Sequence, residues 1–248
     1  VRAVTARGEK EVFARFTAQA IGGLTRNILA AGSFQTCAIA SDGRAYCWGD
    51  NVAGDLGDGT TAQRNVPTLV AGGLDFASVS GGYWHSCGLT TTGAGYCWGH
   101  NYWGDLGDGT NTNRLVPTPV AGGHQFIELE SGTWTGCGLI AGGAAYCWGN
   151  NDYGRVGDGT TTHRNTPVAV IGGLQFTSIV AGANLTCGLA SGGQAYCWGQ
   201  NNSGQLGDGT NIDRHQPTAV SGGHRFTQLA LGYAHTCGLT EEGMAYCW

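Results

Sequence analysis

Glycine supplies 46 of the 248 residues, against a usual share of roughly 7%. A helical bundle is excluded, because Gly inside a helix costs about 1 kcal/mol per position relative to Ala, and so is collagen, since only 5 residues are Pro and no Gly-X-Y period appears. Charged residues make up 12%, the formal net charge is -5 and Lys10 is the single lysine, so the basic footprint of a nucleic-acid or anionic-membrane binder is missing.

The chain opens on Val1, read as a processed or trimmed start, and residues 1–15 are expected to form an N-terminal extension without the apolar stretch of a signal peptide. No apolar run reaches the roughly 20 residues of a membrane-spanning helix, so membrane insertion is not expected. From there the sequence repeats. Cysteines fall at 37, 87, 137, 187 and 237 and again at 47, 97, 147, 197 and 247, a period of 50 without insertions. Trp48, Trp98, Trp148, Trp198 and Trp248 keep the same register, as do Pro67, Pro117, Pro167 and Pro217.

In the unit from Phe76 the chain reads FASVSGG, HSCGLT, a Gly-containing turn at Thr91 to Gly93, AGYCWG, a Gly-rich loop NYWGDLGDGT, and VPTPVAGG. Short β-branched or aromatic stretches between Gly, Asn and Asp clusters predict four strands, A to D. The expected fold is all-β, a β-propeller of five four-stranded blades at 24–73, 74–123, 124–173, 174–223 and 224–248, within one domain over 16–248. A linear solenoid would want atypical polar caps. Residues 16–23, FTAQAIGG, share the register of VPTLVAGG at 66–73, although Thr17 stands where Pro67 would. They are expected to supply the strand D that the last unit lacks and so close the ring.

Each unit carries two cysteines ten positions apart across the B to C hairpin. A three-residue turn with Gly43 in the left-handed region pairs residues whose numbers sum to 84, which puts Cys37 opposite Cys47 at a non-hydrogen-bonded site, where Cα atoms lie about 4.5 Å apart. Five disulfides are therefore expected: Cys37–Cys47, Cys87–Cys97, Cys137–Cys147, Cys187–Cys197 and Cys237–Cys247. They imply an oxidising compartment, extracellular or periplasmic. Ten buried thiols are the alternative. Zinc lacks a constant ligand set, since His85 and His235 correspond to Gln35, Thr135 and Leu185, and ten repeated copies do not suit a catalytic nucleophile. Asn184 and Asn201 begin glycosylation sequons.

The loop after strand C repeats as Gly54-x-Leu56-Gly57-Asp58-Gly59-Thr60. One constant carboxylate is too few for calcium, so Asp58 and its copies are read as fixing the turn, with Arg64, Arg114, Arg164 and Arg214 as structural partners. The five-fold Trp is read as a residue packed between blades. No metal and no cofactor is expected.

A repeat pattern, AGxxHTCGLxxxGxAYCWGxNxxGQLGDGTxxxRxxP, read at His235 to Trp248 and at Ala195 to Pro217, resembles the repeat of the regulator of chromosome condensation (RCC1) superfamily, in particular its secreted bacterial type. The resemblance covers about residues 24 to 248. It implies a propeller, usually of seven blades, so a fragment of a larger ring is the alternative to five. It also implies protein binding through a propeller face, in one secreted bacterial type by plugging an enzyme's active site.

A working face is then sought where the repeat breaks. Phe34, Tyr83, Trp84, Tyr102, Trp103, Trp134, Tyr153 and Tyr233 lie outside the register and occupy only the A to B loop and the start of the C to D loop, which an up-and-down blade places at one end. With His85 beside them, they form the expected partner-binding set, densest in units two and three. Some of them folding over the central channel is the plainer reading. The expected function is non-enzymatic protein binding, with a carbohydrate-binding propeller or a structural subunit of an extracellular assembly as alternatives. Exchange on a GTPase is disfavoured by the absence of a wedge insertion.

Overall fold

The computed structural model describes residues 20–21, 24–25 and 28–248. After a two-residue pair, β1 (Ala20–Ile21) with β2 (Leu24–Thr25), come five antiparallel sheets whose strands neighbour one another in chain order. Unit one holds β3 (Leu29–Ala31), β4 (Gln35–Ile39), β5 (Ala45–Gly49) and β6 (Arg64–Leu69), and unit two holds β7 (Phe76–Gly81), β8 (His85–Thr90), β9 (Gly95–Gly99) and β10 (Arg114–Pro119). Unit three holds β11 (Phe126–Ser131), β12 (Thr135–Ile140), β13 (Ala145–Gly149) and β14 (Arg164–Ala169). Unit four holds β15 (Phe176–Ala181), β16 (Leu185–Ala190), β17 (Ala195–Gly199) and β18 (Arg214–Ala219), and unit five holds β19 (Phe226–Leu231), β20 (Thr236–Thr240) and β21 (Ala245–Cys247).

Four sheets thus have four strands and the last has three. The expected extension 1–15 and most of the expected closing strand lie outside the described residues, and Ala20–Ile21 pairs with Leu24–Thr25 rather than with β21.

The hairpin between the second and third strands follows its turn chemistry. Gly43 adopts φ 83°, its N–H donates to Ala40 O at 3.0 Å, and the Ala40 N–H donates to Arg44 O at 2.9 Å. This register sets Cys37 directly opposite Cys47. All five disulfides are formed, each with Cα atoms 4.1 Å apart. The prolines sit on the outermost strand, where no ladder N–H is needed, and there the register shifts between Arg64 and Thr68.

The core lies between units. The disulfide face of one unit, with Cys37, Cys47 and Leu56, packs against Phe76, Val79 and Trp98 of the next. Trp98, Trp148 and Trp198 are fully buried, and their indole N–H groups donate to the carbonyls of Asp55, Asp105 and Arg155 in the preceding unit at 2.9–3.0 Å. Gly57 makes this seat: it holds φ 66°, and a Cβ there would come 2.8 Å from Trp98 Cδ1. The two outer flanks lack such a neighbour among the described residues. Leu29 of unit one is 53% exposed, and Cys247 is exposed whereas its counterpart Cys197 is fully buried.

The innermost strands converge on an axis. The turns that follow them, at Gly32, Gly82, Gly132, Gly182 and Gly232, line one cavity of about 340 Å³. Neighbouring turns are hydrogen-bonded, Ser33 N–H to Gly82 O at 3.1 Å and Thr133 N–H to Gly182 O at 3.1 Å.

Candidate functional site

The loop leading from the third strand to the fourth is rigid because one asparagine and one aspartate organise it. Asn51 Oδ1 accepts the Leu56 N–H at 2.9 Å while its amide donates to Asp58 Oδ1 and to the carbonyls of Thr60 and Ala62. Asp58 also accepts from the Thr60 N–H and hydroxyl and from Arg64 Nε at 2.7 Å. Burial alone would push the Asp58 carboxyl up, but these Thr60 and Arg64 hydrogen bonds outweigh it and hold it below the ordinary value. The same arrangement recurs at Asn101 and Asp108, Asn151 and Asp158, and Asn201 and Asp208. The carboxylate is committed to the loop itself. Asn51 is the organiser that the sequence reading passed over, although its constancy at the 50-residue period was visible.

On this frame the irregular aromatics of units one to three meet. Phe34 lies 5.2 Å from Tyr83 and 6.4 Å from Trp84, centroid to centroid. Tyr83 reaches Trp84 at 4.9 Å and Trp134 at 5.0 Å, and Trp84 and Trp134 are 5.5 Å apart. His100 packs against both indoles, at 5.8 and 5.2 Å, and continues to Tyr102 at 6.4 Å. Tyr102 meets Trp103 at 4.6 Å, and Trp103 meets His163 at 4.6 Å. The result is an unbroken platform from Phe34 to His163. Its rings pack on one another, so it offers a rigid surface rather than an open cage. Tyr102 is 63% and Phe34 50% exposed, and Tyr83, Trp84, Trp103 and Trp134 are half-buried.

Three residues of the expected set stand elsewhere. His85 is fully buried, so it cannot touch a partner. It begins β8 and its ring fills the space left by Gly82, where a Cβ would come 2.4 Å from His85 Cε1. Both ring nitrogens lack a hydrogen-bond partner, and burial lowers its pKa to about 3, which keeps the ring neutral. Tyr153 lies over Arg155 at 5.7 Å with φ 66°, apart from the platform. Tyr233, 75% exposed, lines the axial cavity, as does the platform residue Tyr83.

The structure adds two histidine–aspartate contacts. His100 Nδ1 lies 2.8 Å from Asp105 Oδ2, and burial raises the Asp105 carboxyl above its ordinary value although His100 pulls it down. His163 Nδ1 accepts the Asn151 N–H at 2.9 Å, a role given to Asn113 and Asp213 in sister units, and its Nε2 faces Asp152 at 4.0 Å. His163 was legible only as a departure at a position held by Gln63, Asn113 and Asp213. Of the two sequons, Asn201 is fully buried with its amide committed to the loop, which closes it to modification in the folded chain.

Regulator of chromosome condensation (RCC1) repeats match residues 42–89, 142–189 and 192–239, and a second description of the same repeat matches 28–55, 76–104 and 176–205. A comparison with curated protein sequences gives no match. Among solved structures the chain is similar to human WBSCR16, with a TM-score of 0.81 and 21% identity over 91% of this chain and 62% of that one. It is similar to yeast RCC1 (Prp20), solved with Kap60 bound, with a TM-score of 0.77 and 22% identity over 89% of this chain and 55% of that one. The CRINKLY WD40 ectodomain of the Arabidopsis thaliana receptor kinase ACR4 follows at 0.62 and 24%, over 90% and 71%. The chain therefore spans 62% and 55% of the first two. With repeats matched over more than half of its length and the propeller geometry to go with them, the chain belongs to the RCC1-repeat family.

Proposed function

We propose that the chain is a non-enzymatic, protein-binding propeller that grips its partner with the aromatic platform on the loop face. The observation that carries this is the continuity of the platform: rings contributed by three different units touch one another from Phe34 to His163, while the corresponding loop positions of unit four are Ala183, Asn184, Asn202 and Ser203. Aromatic clusters on a rigid frame are the usual carriers of binding energy at protein interfaces, because they present large area at little cost in side-chain entropy. The Kap60 complex of yeast RCC1 supports the same class of function by analogy of fold. Five disulfides favour an extracellular or periplasmic setting.

The test is retention of proteins from the native extracellular milieu by the intact chain and by Tyr102→Ala with Trp103→Ala. Leu69→Ala on the outermost strand of unit one serves as the control. Loss of a specific retained protein in the double variant alone supports the reading. Equal retention by all three forms would mean that the platform is not the binding surface.

A further inference from the structure

The face that bears the platform is uneven in charge as well as in aromatic content. Each of the four repeated arginines is tied to the aspartate of its own loop at 2.6–2.7 Å. Arg155 is 2% exposed and donates to the carbonyls of Asp152 and Ala183. Arg44 and Arg225 belong to the opposite end of the disc, at the hairpin turn and the link between blades. Of the platform histidines, His100 is paired with Asp105, and His163 accepts an N–H at Nδ1, which only the neutral ring can do.

Carboxylates, in contrast, stand at both ends of the platform. The Asp50 N–H donates to Phe34 O at 3.0 Å, which sets the backbone of Asp50 next to that of Phe34 at the first end of the platform. Asp152, its side chain 56% exposed, faces His163 beside the last. An aromatic surface with acidic ends, on which every arginine among the described residues is either tied to an aspartate or buried, complements one kind of segment. Guanidinium and ammonium groups are attracted both to indole and phenol faces and to carboxylates, and a like-charged segment would be rejected.

Resting on the protein-binding reading, we propose that the partner docks an extended basic segment, with an apolar or aromatic residue seated on Trp84, Trp134 and Tyr102 and an Arg or Lys on either side, directed at Asp50 and Asp152. The sister units show that neutral residues fit these two loop positions, because Asn150 corresponds to Asp50 and Asn202 to Asp152.

The experiment pans a random twelve-residue peptide library against the intact chain and measures the selected peptides on two variants, Asp50→Asn with Asp152→Asn, and Tyr102→Ala with Trp103→Ala. The expected result is enrichment of peptides carrying Arg or Lys about an aromatic residue. Their binding should weaken about tenfold in the Asn pair and fade with added salt, and it should be lost in the Ala pair. Peptides lost in the Ala pair but lacking basic residues, or indifferent to the Asn pair, overturn the inference and leave the platform as a binding surface. Selected peptides indifferent to the Ala pair, or no selected peptide at all, overturn both.

Discussion

At the scale of single residues, the repeated loop shows how a carboxylate among glycines is spent. Asp108 accepts from the Thr110 N–H and hydroxyl, the Asn101 amide and Arg114, so the carboxylate ties four groups of its own loop together. Asp108→Ala is expected to cost about 2–3 kcal/mol in chemical denaturation, since charged hydrogen bonds are lost and the Asn101 amide is stripped of a partner. Asp108→Asn should cost less, and a neutral result for both would remove the loop from the list of stabilising elements. The role of Asp58 and its copies was legible because it recurs in register with an arginine. The burial of His85 was not, because nothing repeats there: Gln35, Thr135 and Leu185 stand in its place, and the ring is hidden by the packing of Gly82 against the turn at Gly132.

At the scale of elements, two devices recur in every hairpin and blade contact. The disulfide closes a short loop between paired strands, as the turn register required, and replacing Cys137 and Cys147 together by Ser is expected to cost about 2–3 kcal/mol. Intact mass should rise by ten hydrogens on full reduction, one pair for each of the five bridges. The second device is the glycine seat of the tryptophan. At Gly107, φ is 65° and a Cβ would stand 2.8 Å from Trp148 Cδ1, so Gly107→Ala combines a left-handed backbone with displacement of a buried indole. A loss of about 2 kcal/mol or more in thermal unfolding is expected. An unchanged melting temperature would show that the seat has slack. Strand order, turn type and the blade-interface tryptophan could all be read from the 50-residue period, because each is a local or nearest-neighbour property. The ends of the array could not, because they depend on which surface meets unit one and unit five.

At the scale of the whole molecule, the units differ most along the axis and across the loop face. On the innermost strand of unit three, Glu128 accepts the Ile179 N–H from unit four and Glu130 accepts the Ser80 hydroxyl from unit two, each at 3.3 Å. Burial, with the neighbouring Glu130 charge adding to it, pushes Glu128 up to about 8, and burial pushes Glu130 up to about 7. Both groups therefore hold a proton more tightly in the folded chain than in the unfolded one, where the value is 4.5. Their contribution to stability is complete below about pH 4.5 and is lost as pH rises toward 8. Glu128→Gln keeps the neutral shape and removes its titration. The melting temperature of this variant minus that of the parent chain should climb from about pH 5 to about pH 8 and then level off; a flat difference would contradict the assignment.

The aromatic residues could be picked out in the sequence as departures from the repeat, yet their continuity depends on His100, which joins Trp84 and Trp134 to Tyr102 where the alternation of strands and loops only brings them near. The most direct measurement is the dissociation constant of a retained partner for the parent chain and for Tyr102→Ala with Trp103→Ala. Binding should weaken by about thirtyfold, or about 2 kcal/mol, with the fold intact. An unchanged constant would show that the partner is held elsewhere.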